Sequence, residues 1–329
     1  MLMKATDKVN SHRIKSAYAT KYGRMYCGKS EEVLDKWPPS HYKGRVQLVF
    51  TSPPFPLNRK KKYGNLQGEE YVKWIASFGP ILKEFLTEDG SIVIELGNAW
   101  VQGKPVMSTL PIKALLSFLE EADLHLCQEF IVYNPAKLPT PAQWVNVERI
   151  RVKDAFTRVW WMSTNERPKA NNKKVLTQYS DSMKDLLKRG TYNSGRRPSE
   201  HNIGEKSFLT DHGGAIPPNV LVSSIEEMLP DLIEVLPIAN TGSNSRFQKY
   251  CREHGLPLHP ARMPTRLVEF FIDFLTDPGD MVLDPFAGSN TTGVVAEYMK
   301  RKWIGIEAKP EYIEASEIRF TIPRTKRKG

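Results

Sequence analysis

Two groups of residues in this sequence have the types and spacing to do chemistry. The first is Thr51-Ser52-Pro53-Pro54-Phe55. Two consecutive prolines lack N–H groups, so they cannot extend a central strand. They leave a stiff turn that presents free carbonyls, the Ser52 hydroxyl and the Phe55 ring. Such a turn suits a flat, amine-bearing ring, with acceptors in the ring plane and the aromatic stacked on its face. Taken alone, the motif reads first as a proline turn closing a strand.

The second group is Asp284-Pro285-Phe286-Ala287-Gly288-Ser289-Asn290-Thr291-Thr292-Gly293, with Glu307 beyond it. Glycines let the backbone approach a ligand, and an acid about twenty residues after the loop can accept both ribose hydroxyl protons. The loop lacks the Gly-x-Gly-x-x-Gly pattern, and Asp284 at its entrance would repel a pyrophosphate. An ammonium or sulfonium suits it better, which disfavours a dehydrogenase.

Both groups need strands to hold them. Val46–Phe50 and Met281–Asp284 read as buried strands running into the two motifs, and Trp303–Glu307 as a third. Further strands are expected at 24–28, Ser91–Leu96, Leu126–Tyr133 and Val159–Met162, the last as an antiparallel return. Helices are expected from Ser30, across Tyr71–Phe85 with a kink at Gly79-Pro80, over Pro111–Ala122, from Pro264, after the glycine loop and from Pro310. Strands alternating with helices predict an α/β fold, a mostly parallel sheet with one antiparallel edge strand. Residues 1–23 read as a polar arm. Residues 24–166 and 259–329 form the catalytic and cofactor-binding domain, and 167–258 a smaller, loop-rich one.

The chain has 329 residues and a formal net charge of +10, which points toward a polyanionic partner. Arg59-Lys60-Lys61-Lys62 lies just after the proline turn, and residues 149–174 hold Arg149, Arg151, Lys153 and five more cations against Asp154 and Glu166. Phosphate contact is expected of both clusters. No apolar run reaches the ~20 residues that span a bilayer. The three cysteines, Cys27, Cys127 and Cys251, form neither a disulfide framework nor a zinc site, and read as buried structural residues in a reducing, cytoplasmic setting. His201 and His212 have no acid or cysteine cluster beside them, so no metal site is expected.

Ser-Pro-Pro-Phe followed by the Asp-Pro-Phe-Ala-Gly-Ser-Asn-Thr-Thr-Gly loop resembles the amino-group DNA methyltransferases of bacterial restriction–modification systems. Their permuted β group places the catalytic motif before the cofactor motif. His259-Pro260-Ala261-Arg262-Met263-Pro264 is similar to that group's additional cofactor motif. The resemblance extends from Tyr26 to Phe320, and its nearest branch is the cytosine-N4 methylases. It implies an S-adenosylmethionine-dependent enzyme with Ser52, Pro53, Pro54 and Phe55 in catalysis. Cofactor contacts are implied for Thr51, His259, Pro260, Ala261, Asp284, Phe286, Ala287, Gly288, Ser289, Asn290, Thr291 and Glu307. Where the family commonly has an acid after the first Tyr-x-Gly strand, this chain has Lys29, so that contact is not carried over.

The implied substrate is double-stranded DNA near the bacterial nucleoid, with residues 167–258 and the 137–158 loop reading the sequence. A cognate restriction endonuclease would share the site without having to bind, no membrane is involved, and monomer and weak dimer both stay open. Carbon-5 methylation is disfavoured, because Tyr26, Leu126 and Tyr250, not proline, precede the cysteines. Two alternatives stay open: an adenine-N6 methyltransferase, and a non-catalytic nucleic-acid-binding protein on a nucleotide-binding scaffold.

Overall fold

Apolar runs rich in β-branched and aromatic residues build one nine-stranded sheet in the computed structural model, which describes residues 15–37, 42–55, 66–204, 207–222, 246–259 and 263–321. The strands are β1 (Tyr18–Ala19), β2 (Gly23–Cys27), β3 (Val46–Thr51), β4 (Leu86–Gly97), β5 (His125–Tyr133), β6 (Phe156–Ser163), β9 (Val220–Val222), β10 (Met281–Asp284) and β11 (Lys302–Glu307). The short β7 (Gly195–Arg196) and β8 (Asn202–Ile203) pair separately. In space the order is β1-β2-β11-β10-β3-β4-β6-β5-β9.

The five strands β2, β11, β10, β3 and β4 are mutually parallel. All six residues of β3 are buried, as expected of a strand covered on both faces. The sheet is mostly parallel, as the sequence predicts, but its antiparallel strands sit differently. β6 lies inside, antiparallel to both β4 and β5, while β1 is the antiparallel edge. Residues 15–23, expected as part of an arm, are therefore built in. Tyr18 is buried, and its hydroxyl meets Ser316 Oγ at 2.7 Å.

Helices cover both faces. On one, α6 (Thr265–Leu275) and α7 (Thr291–Tyr298) pack Phe271, Ile272 and Val295 against Leu48 and Phe50. On the other, α2 (Gly68–Phe85) and α3 (Leu110–Ala122) pack Tyr71, Phe78 and Phe118 against Val49, Ile92 and Ile94. α2 runs as one helix through Gly79-Pro80, where a kink is expected, and Gly79 packs closely on α3: a Cβ there would lie 2.8 Å from the Ala122 side chain. Of the cysteines only Cys251 is buried; Cys27 is exposed, and Cys127 is intermediate, packed against the core at a register shift in β5.

The segment 167–258 is fastened to the large sheet at its ends. Lys169 pairs with Asp277 at 2.9 Å and Asp280 at 2.7 Å, and Lys174 also binds Asp277, which holds the Asp277 carboxyl down at about 2. β9 extends the sheet beside β5. Phe247 and Cys251 of α5 (Arg246–Glu253) cluster with Ala315 of α8 (Pro310–Glu317). Between these anchors lie α4 (Asp181–Arg189) and the β7–β8 ladder.

Buried Arg301 closes the turn from α7 to β11. It donates to the Thr276 carbonyl at 2.9 Å, Thr276 Oγ1 at 3.0 Å and the Met299 carbonyl at 2.8 Å, and pairs with Asp273 at 3.4 Å. Arg301→Ala is expected to lower unfolding free energy by about 3 kcal/mol, because buried acceptors lose their donors. Arg301→Lys should fail to restore it, since one ammonium cannot span the planar fork. Urea titration with an unchanged slope checks this; wild-type stability in Arg301→Lys would refute it.

Candidate active site

The carboxyl ends of the parallel strands meet along one edge of the sheet, where open α/β sheets place their ligands. β3 delivers the proline turn, β10 the glycine loop and β11 Glu307. The β3–β10 pairing sets Thr51 beside Asp284. Thr51 Oγ1 donates to Asp284 Oδ1 at 2.7 Å, Thr292 Oγ1 to Oδ2 at 2.6 Å, and the Phe286 N–H to Oδ1 at 3.1 Å. Asp284 is 2% exposed, and burial pushes its carboxyl up to about 6 against these three donors.

Gly288 turns the loop at φ +51°, a conformation that favours glycine, and a Cβ there would stand 3.1 Å from His259 Nε2. Its N–H donates to Glu307 Oε2 at 3.0 Å, and the Lys309 N–H to Oε1 at 2.8 Å. With the Ala308 N–H as a third donor, the Glu307 carboxylate still keeps a lone pair for a ligand hydroxyl. Burial raises the Glu307 pKa against these backbone donors. His259 stands edge-on to Tyr312, with ring centroids 4.6 Å apart.

Ser52, Pro53, Pro54 and Phe55 face a cavity of about 670 Å³ shared with the loop. Phe55 lies against the end of β4: a Cβ on Gly97 would be 2.5 Å from its ring. The same strand end carries Glu95, a buried carboxylate that accepts hydrogen bonds from Ser52 and, at 3.1 Å, from Thr157 Oγ1. Burial raises the Glu95 pKa and these two donors lower it.

His259, Asp284, Phe286, Ala287, Gly288, Ser289, Thr291 and Glu307 also line the cavity. Thr51 and Asn290 do not; both act from behind it. Asn290 adopts a left-handed conformation, caps α7 by accepting from the Gly293 N–H at 2.9 Å, and donates to Tyr18 Oη at 2.9 Å. Arg149, Arg151 and Lys153 are exposed on the 134–155 excursion between β5 and β6. Pro260, Ala261, Arg59, Lys60, Lys61 and Lys62 lie outside the described residues.

Sequence reasoning missed several wall residues: Glu95, Thr157, Asn134, Lys137, Trp74 and Glu31. Lys29, in the position where an acid was looked for, lines the cavity together with Glu31, whose Oε1 accepts from Trp74 Nε1 at 2.7 Å. An acid buried in the otherwise apolar run of β4 was the one available signal for Glu95. Among the described residues, no group of three acids, histidines or cysteines could hold a metal ion, and no helix is long and apolar enough to cross a membrane.

The Asp284 environment has a pH signature. Below 3.8 the carboxyl is protonated both folded and unfolded; between 3.8 and about 6 only the folded chain holds the proton. Its stabilising contribution is therefore full below 3.8 and lost as pH rises through about 6. Wild-type stability measured relative to Asp284→Asn should fall by on the order of 3 kcal/mol across that window. A pH-independent difference in denaturation midpoints would refute the assignment.

Comparison with known proteins gives a consistent picture. The family model described as DNA methylase matches residues 46–318. The type II methyltransferase M.PvuII of Proteus hauseri is 45% identical over 320 residues, 97% of this chain and 89% of that protein. The solved structure of PvuII DNA methyltransferase, described as cytosine-N4-specific, superposes with a TM-score of 0.71 at 39% identity, covering 95% of this chain and 91% of that one. A Thermus thermophilus protein assigned as a DNA modification methylase, solved with S-adenosyl-L-methionine, shares the fold at a TM-score of 0.51 and 17% identity, over 90% and 92% of the two chains.

Proposed function

The chain belongs to the DNA methylase family, and we propose that it methylates the exocyclic N4 amine of a cytosine turned out of duplex DNA, with S-adenosylmethionine as donor. The observation that carries this reading is Ser52, whose hydroxyl is held by buried Glu95 in the wall of the cavity shared with the glycine loop. The cytosine-N4 specificity of the PvuII enzyme favours cytosine over adenine.

The cavity fits the donor. Glu31, Glu95, Asp284 and Glu307 place carboxylates on its wall beside Lys29, Lys137 and Lys309, and a carboxylate suits a cationic sulfonium. Glu307 has a free lone pair for a ribose hydroxyl, and the missing Cβ at Gly288 leaves backbone open to the ligand beside His259. Phe286, Ala287, Ser289 and Thr291 complete that wall, with Pro260 and Ala261 next to His259 in sequence. Thr51, Asp284 and Asn290 hold the loop in shape. Bound there, S-adenosylmethionine supplies an electrophilic methyl for in-line displacement.

An exocyclic amine is a poor nucleophile because its lone pair is delocalised into the ring. The single proton of Ser52 is engaged by Glu95, so the Oγ lone pairs are free to accept from the amine. The Pro53 carbonyl, which no neighbouring proline N–H can satisfy, accepts the second amine proton. With both protons held, the nitrogen pyramidalises and its lone pair is aimed, a gain from positioning and fixed dipoles. As the nitrogen becomes cationic on methylation it releases a proton to Ser52, which passes its own to Glu95. Burial, which raises the Glu95 pKa, makes that carboxylate the better acceptor. Phe55, braced on Gly97, stacks on the base, and Pro54 stiffens the turn.

The base must leave the duplex to reach this depth. Arg149, Arg151, Lys153 and the Arg59–Lys62 run contact phosphates, and the 167–258 segment between its two anchors reads the groove. The enzyme works in the bacterial cytoplasm on chromosomal DNA, protecting sites that a partner endonuclease cleaves without needing to bind it.

Ser52→Ala should bind S-adenosylmethionine with wild-type affinity by calorimetry while turnover on DNA falls by about 10²–10³. Nucleoside mass spectrometry of DNA treated with the wild-type enzyme should show N4-methylcytosine, and sequencing should map the site. N6-methyladenine alone would overturn the choice of base; a fully active Ser52→Ala would overturn the role of the hydroxyl.

A further inference from the structure

Leu138 is 77% and Val152 88% exposed, two of the most exposed apolar side chains among the described residues. They lie on the two limbs of the 134–155 excursion, whose base is firmly tied. The Asn134 N–H donates to the Ala155 carbonyl at 2.7 Å, and the Asp154 N–H to the Thr140 carbonyl at 3.0 Å. Lys153 Nζ reaches the Pro135 carbonyl at 2.7 Å, and Lys137 Nζ pairs with Asp154 Oδ2 at 3.0 Å. Asn134 and Lys137 line the cavity. Leu138 therefore directly follows a residue of the cavity wall, and Val152 directly precedes the lysine clamped onto that wall's backbone.

A ligand that covers both tips would bury their apolar surface. Here the surrounding charge indicates which ligand. The excursion carries Lys137, Arg149, Arg151 and Lys153 against Glu148 and Asp154, and Asp154 is already taken by Lys137. Apolar tips set among cations, continuous with a site for a flat base, match a base stack flanked by phosphates.

We propose that Leu138 and Val152 form a wedge that enters duplex DNA where the target nucleotide leaves it. The inference rests on the reading of the cavity as a site for an extruded base. A base taken from the stack leaves an apolar gap that water fills poorly, and these side chains fill it as the base enters, stabilising the open duplex.

The test compares wild type with Leu138→Ala, Val152→Ala and the double variant in single-turnover methylation of two duplexes that carry the mapped site. One duplex is fully paired, and the other has a mismatch opposite the target cytosine, where extrusion is already easier. The double variant should lose roughly tenfold on the paired duplex and less than about twofold on the mismatched one, with Val152→Leu close to wild type. Equal losses on both duplexes, or no loss on either, overturn the wedge and leave the methyltransferase reading standing. If the wild type methylates neither, both inferences fall.

Discussion

The buried carboxylate of Asp284 joins the two halves of the active site. Thr51 and Thr292 place their hydroxyls on its two oxygens, so the last residue of the strand before the proline turn and the first turn of the helix after the glycine loop share one anchor. The two hydroxyls are 2.7 and 2.6 Å from it, and a backbone N–H supplies a third donor. An ionised group this deep is costly unless its lone pairs are satisfied. That cost is a constraint as well: any shift of β3 against β10 would break the set. The position of the proline turn relative to the glycine loop depends on this strand pair.

Around that anchor the cavity wall carries both signs of charge, with Glu31, Glu95 and Glu307 beside Lys29, Lys137 and Lys309. β6 supplies part of that wall. By pairing antiparallel to β4, it sets Thr157 opposite Gly97 and two residues from Glu95 in the paired register, and its hydroxyl reaches the Glu95 carboxylate. The β5–β6 connection then projects over the opening.

The sequence made legible whatever its residues announce locally. The two motifs are contiguous, their strands are continuous apolar runs, and the order of motifs pointed to the family. Glu95, Thr157, Asn134 and Lys137 were not legible, because they come from β4, β6 and the excursion after β5 and acquire a role only when β6 takes an interior place. Tyr18 was hidden in a polar stretch; a two-residue strand has no periodicity, and its burial depends on Ser316 and Asn290 far along the chain. Gly79 was read for its place before Pro80, whereas its lack of a side chain also lets α2 approach Ala122 of α3. Asn290 lay in a cofactor motif yet serves as a helix cap, since residue type alone does not say whether a loop side chain points at ligand or at backbone.

The separation of the two motifs also bears on how the chain is made. β3 finds β4 within its own neighbourhood of sequence, but its other partner, β10, begins only at Met281, and β2 waits for β11 at Lys302. At synthesis rates of about 5–20 residues per second, the open edge of β3 emerges from the ribosome roughly ten to fifty seconds before the strand that covers it. During that interval the nascent protein presents an apolar, unpaired strand, the kind of edge that templates aggregation. The permuted order that puts catalysis first thus leaves the centre of the sheet to be completed last, and a chaperone that shields β3 during translation would serve this arrangement more than one in which the cofactor motif came first.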